Sequence, residues 1–184
     1  MLDGAEHTAD WNDRHLLGEE SHVVGLGGQI LDSSEHDVIW YESSSFHTGN
    51  SLFKEDTAFF KDVAPTTKHA NTVDNVLQKN VWNFQFNLLK IDVQGAELSV
   101  LSGASRALAT VDAVLMEMPF AGVYNKGSPS FAQYAAFMDK LGFSPLDLTE
   151  VHKMGGVTVQ IDFLWVRKCS RWPQMEQAKL QSLR

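Results

Sequence analysis

The sequence predicts an α/β domain built on a mixed sheet, and three stretches carry that prediction. The run Leu88–Val93 is apolar except at Lys90 and Asp92 and is followed at once by the turn Gln94-Gly95 and by helix-forming residues. Phe131, Tyr134, Ala135, Met138 and Leu141 recur at i, i+3, i+4, i+7 and i+10, the spacing of one helix face. Val159, Ile161, Phe163 and Trp165 alternate with less apolar residues, as in a half-buried strand.

The elements follow in order. Residues 1–21 are polar, with a short helix over 9–17 carried by Trp11, Leu16 and Leu17. His22–Leu26 and Val38–Tyr41 read as strands, and the turn-rich segment between them predicts a hairpin-like pair. Ser43–Asn50 is a polar loop, and Thr72–Leu77 gives one or two helical turns. Leu88–Val93 is a strand and Ala96–Ala109 a helix, in which Gly103 costs about 1 kcal/mol relative to Ala unless a neighbour packs close. Ala113–Met118 is a strand stopped by Pro119. Ser128-Pro129 is read as the start of the next helix, and Gly142 as its end. Phe143–Leu148 and Thr158–Val166 close the sheet, and the Gly155-Gly156 turn sets them antiparallel. Residues 1–168 form one domain and 169–184 a polar tail.

Composition narrows the function. The chain has 184 residues, enough for one domain with a real core, and 43% of them are hydrophobic. A net charge of −8 argues against a nucleic-acid backbone as main partner. It favours small neutral or cationic molecules or glycans. A lone cysteine, Cys169, makes no internal disulfide, so a reducing cytoplasm is expected. No run is long enough for a membrane span, and Met1-Leu2-Asp3-Gly4 does not open a signal peptide. The seven histidines show no metal-site spacing, so no metal is expected.

Asp92 stands at the carboxyl end of its strand, the edge at which open α/β sheets bind ligands. It is a site residue or an acceptor for the following turn. Glu117 holds the same place on the next strand, as a cleft residue, a surface acid or a partner for Lys126. Glu97 falls in a first helical turn, where its charge complements the helix dipole. Tyr124 and Asn125 lie in the loop after Pro119 and are candidates for contact with a ligand.

Lys90-Ile91-Asp92-Val93, Gly95-Ala96-Glu97-Leu98, Val100-Leu101 and Gly103-Ala104 together resemble the signature of FkbM-family, S-adenosylmethionine-dependent methyltransferases. Val111-Asp112-Ala113, Glu117 and the run Phe163–Lys168 extend the resemblance over roughly residues 22–168. Position 94 departs from it, with Gln where the family usually carries Glu. The resemblance implies a Rossmann-like class I methyltransferase sheet, mostly parallel, with an antiparallel last strand between its two neighbours. It implies S-adenosylmethionine as cofactor and methyl transfer to the hydroxyl of a sugar or other small acceptor. In that picture Asp92 and Glu117 are catalytic, and Asp3, Asp92 and Gly95 meet the cofactor. Asp3 or Glu6 would be the acid on the ribose, and either is equally a solvated surface charge.

The family's first strand and glycine-rich cofactor turn are not found. Gly25-Leu26-Gly27-Gly28 is either that turn displaced or a hairpin connection. The chain is thus expected to be N-terminally incomplete, through a late gene start, through decay, or with residues 1–21 filling in, and to bind S-adenosylmethionine poorly. The alternative function is a catalytically inactive remnant acting as a binding or assembly module. An oxidoreductase on a similar sheet lacks its dinucleotide fingerprint.

Overall fold

The computed structural model describes residues 26, 30–79, 86–121 and 125–170. The expected helix over 9–17, the strand over 22–26 with its hairpin, most of the glycine patch, Asp3, Glu6, Tyr124 and nearly all of the tail lie outside the described residues.

Strands β1 (His36–Trp40) and β2 (Thr66–Ala70) pair antiparallel, Val38 facing Lys68. β1 falls where β-branched and aromatic residues place it. β2 is not predicted by the sequence: Thr66, Thr67 and His69 are exposed, and only Ala70 is buried. Helix α1 (Val73–Lys79) follows and buries Val73 and Val76.

The main sheet holds β3 (Leu88–Ile91), β4 (Ala113–Pro119), β5 (Phe143–Met154) and β6 (Val157–Arg167), in the order β3-β4-β6-β5. β3 and β4 are parallel, and β6 is antiparallel to both of its neighbours. The last strand therefore sits between its predecessors as expected. The sheet is mixed, however, and not mostly parallel in its pairings. β3, β4 and β5 point the same way, but inserting β6 leaves one parallel contact among the described strands. Among the described residues β3 pairs only with β4.

The core lies against one face. Val114, Met116 and Met118 of β4 are buried alternately, and their direct partners on β6 are Trp165, Phe163 and Ile161. The predicted alternation is thus the core face of β6. Helix α4 (Phe131–Lys140) lays Tyr134 and Met138 onto it, both fully buried. Phe131 is only half buried and meets Phe120 and Phe163 ring to ring at 5.6 and 5.9 Å. The anchor of α4 is Tyr134, one turn later than the first aromatic. The cap also differs from expectation. Ser130, not Ser128, is the N-cap, and Gln133 completes a capping box with it. Gly142 ends the helix at φ 84°, as predicted.

The helix expected over 96–109 is two: α2 (Glu97–Ser102) and α3 (Ser105–Leu108). A Cβ at Gly103 would lie 2.3 Å from the Asp32 carbonyl oxygen, so chain 32 packs onto the glycine and the helix breaks there. Asp74 of α1 caps the restart, its carboxylate accepting the amides of Arg106 and Ala107 at 2.8 and 3.0 Å. Arg167 binds the carbonyls of Leu108 and Val111 at the far end.

β5 runs six residues beyond its expected end at Leu148, with three register shifts against β6. The turn at Gly155 and Gly156 has positive φ at both positions, 57° and 83°.

Candidate active site

The turn after β3 is tight because Gln94 (φ 53°) and Gly95 (φ 101°) both take the left-handed region. At Gly95 a side chain is also excluded by space, since a Cβ would meet Ser128 Cβ at 2.7 Å. Glu97 holds the turn from below. It is 1% exposed, and its Oε1 accepts the amides of Val93 and Gly95, each at 3.1 Å. Its Oε2 takes a short hydrogen bond from the Tyr134 hydroxyl. The Tyr134 hydroxyl also lies 3.3 Å from the Gly95 carbonyl oxygen. Glu97 thus keeps its expected place in the first turn of its helix and is in addition a buried brace for the preceding turn. Burial raises its carboxyl above the usual range, against the pull of Tyr134 and the backbone amides. Burial, followed by the charge of Glu97, holds the Tyr134 phenol protonated. From above, Ser51 donates to the carbonyls of Val93 and Gln94 at 3.1 and 2.8 Å.

This scaffold presents the Gln94 side chain to two acids. Its Nε2 donates to Asp92 Oδ1 and to Glu117 Oε1, both at 2.9 Å. The two carboxylates singled out in the sequence are therefore brought together at the carboxyl ends of adjacent parallel strands. Their environments differ. Asp92 is exposed. The Glu117 side chain is 11% exposed. Desolvation first, then the charge of Asp92, pushes the Glu117 carboxyl up to about 7, although His152 pulls it down. Lys126 pairs with Asp56 at 2.9 Å, not with Glu117.

Three more residues complete the site, and the sequence did not single them out. Gln160 donates to Glu117 Oε1 at 2.6 Å. His152 Nε2 lies 3.2 Å from Asp162 Oδ1 and 3.6 Å from Glu117 Oε2. Among the described residues this is the single place where three groups of the kinds that bind metals converge, and the His152–Asp162 hydrogen bond already links two of them. Glu117 and Asp162 are direct cross-strand partners on β4 and β6. The available signal was the period of β6, which puts Gln160 and Asp162 together on the face opposite Ile161 and Phe163.

A small cleft opens between these groups, lined by Gly95, Glu97, Glu117, Pro119, Asn125, Ser128 and Gln160. Asn125 is buried, with its Nδ2 toward the Phe53 carbonyl at 3.5 Å. Two of the lining residues, Glu97 and Glu117, are acids, while Asp92, Asp162 and His152 stand around Glu117 outside the lining. The Gly95 amide and carbonyl are already hydrogen-bonded within the protein.

Residues 12–145 match the model of the methyltransferase FkbM domain, which spans most of the chain. The chain belongs to the FkbM methyltransferase family. No curated protein and no protein of solved structure matches it significantly. The FkbM match takes in Asp92, Gly95, Glu97 and Glu117 and ends near the start of β5, so His152, Gln160 and Asp162 lie beyond it. No helix among the described residues is long and apolar enough to cross a membrane.

Proposed function

We propose that this FkbM-family protein is an S-adenosylmethionine-dependent O-methyltransferase acting on a sugar or other small hydroxyl-bearing acceptor. The observation that carries the reading is the pair Asp92 and Glu117, joined through one Gln94 amide at the carboxyl ends of β3 and β4. Such strand ends are where α/β sheets hold their ligands.

The acidic cleft fits a sulfonium, which carries positive charge. Asp92 and Gly95 are proposed to meet the cofactor, together with Asp3, which lies outside the described residues. Bound S-adenosylmethionine supplies an already activated methyl group, so the protein's task is alignment and proton handling. Glu117 is the better proton acceptor, because an acid near 7 is matched to neutral conditions. The cofactor would give up that methyl and leave as a neutral thioether, and the Glu117 carboxylate would take the proton of the acceptor hydroxyl. Gln94 and Gln160 hold that carboxylate by its other oxygen. Asp92, exposed at the end of β3, orients the acceptor or complements the sulfonium.

The test is transfer of labelled methyl from S-adenosylmethionine to a panel of sugars and polyols, with the methyl ether isolated by chromatography. A labelled ether absent from a Glu117→Gln reaction is the expected result. A folded protein that labels no hydroxyl compound even at millimolar S-adenosylmethionine would overturn the enzyme reading and leave a binding module.

A further inference from the structure

The β5–β6 hairpin carries the inference. A two-residue turn pairs Met154 with Val157 and Lys153 with Thr158, and an unbroken ladder would next pair His152 with Val159. Instead a register shift pairs His152 with Gln160. Bulges of this kind re-aim side chains. Here the shift sets the imidazole beside Asp162 and Glu117, two acids that face each other directly across β4 and β6. Like charges in that position repel. One ring nitrogen, His152 Nε2, lies between them at 3.2 and 3.6 Å.

We propose that His152 is a positioning residue that keeps the Glu117 carboxylate charged and turned to the cleft, and so sets the pH range in which Glu117 accepts a proton. The proposal rests on Glu117 being the acceptor-facing acid of the preceding section. The groups around Glu117 support it. Asp92 and Gln94 face it from the end of β3, Glu97 from α2, Tyr134 from α4, and Gln160 and Asp162 from β6. Three of these are acids, and the remainder are amides and a phenol. His152 on β5 is the basic group among them, and its pull on Glu117 is toward the charged form. A hydrogen bond between this same nitrogen and Asp162 holds the ring in place. At 35% exposed, the His152 side chain can be exchanged without emptying a core.

The experiment is a carbon-13 NMR titration of glutamate side-chain carboxyls, with the Glu117 signal assigned by its loss in Glu117→Gln. The wild-type midpoint is expected near 7. His152→Gln keeps a donor but has no ring to take up a proton, and should raise the midpoint by about one pH unit. His152→Lys restores a charge and should bring it back down. In methyl transfer, the acidic limb of kcat/KM for His152→Gln should move up by the same interval. Activity at pH 7 would then fall about fivefold and recover by about pH 9. A purely structural His152 would lower activity evenly at every pH and leave the midpoint in place, which overturns the proposal. So does a midpoint indifferent to His152 that moves when zinc or magnesium ions are added, since that marks a bound cation as the neutralising charge. The titration needs no substrate, so it remains readable should the methyltransferase assay fail.

Discussion

The Tyr134 hydroxyl donates to Glu97 Oε2 in the buried layer between α4 and the β3–α2 turn. Through this bond the helix that covers the sheet is tied to the loop that displays Gln94. The turn's geometry therefore depends on a side chain 39 residues further along from Gly95.

Removing that hydroxyl leaves a fully buried carboxyl short of a donor. Tyr134→Phe should cost about 1–3 kcal/mol in urea denaturation. It should also weaken whatever binds at the turn. A change below about 0.5 kcal/mol would mean that the two backbone amides alone suffice for Glu97.

Gly95→Ala brings two separate penalties, left-handed backbone and collision with Ser128. Together they should cost about 2 kcal/mol or more. Adding Ser128→Gly should return only the collision part. Full recovery in the double variant would show that the backbone there is not strained.

Glu117 predicts a stability profile of unusual sign. Its folded value, about 7, lies above the ordinary 4.5. The folded state therefore binds the proton more tightly than the unfolded chain. The stability this confers is present in acid and is lost as pH rises from about 4.5 to about 7. Glu117→Gln should thus melt a few degrees higher than the parent at pH 8, with little difference at pH 4. A variant less stable at pH 8 would refute the desolvation account.

Asp92 is exposed, so its removal should spare the fold. Asp92→Asn keeps an acceptor for Gln94, and its stability should stay within about 0.5 kcal/mol of the parent. Turnover should fall about a hundredfold if the charge orients reactants. Normal turnover in the Asn variant would strike Asp92 from the proposed machinery.

Much of the frame was legible because it follows local rules. The apolar run of β3, the alternation of β6, and the face of α4 with its stop at Gly142 all announce themselves within a few residues. So did Asp92 and Glu117, which need only their place at strand ends. Other features depended on partners far away in the chain. Glu97 reads as a dipole charge until Tyr134 is placed over it. The helix over 96–109 reads as continuous until Asp32 presses on Gly103 and Asp74 offers a second cap. β2 is polar because it forms a surface ladder, so no apolar pattern marks it. His152 is the hardest case: a one-residue shift of register decides whether it faces Val159 or Gln160, and nothing local records that shift.

Gln94 shows what one atom changes. An amide there donates hydrogen bonds to both Asp92 and Glu117, so the two acids share a donor. A glutamate in its place offers oxygens only and would crowd a third acid among them. That trio would have to hold an extra proton at neutral pH to stay together. This chain keeps the donor without needing that proton, and the proton balance of its cleft is left to Glu117.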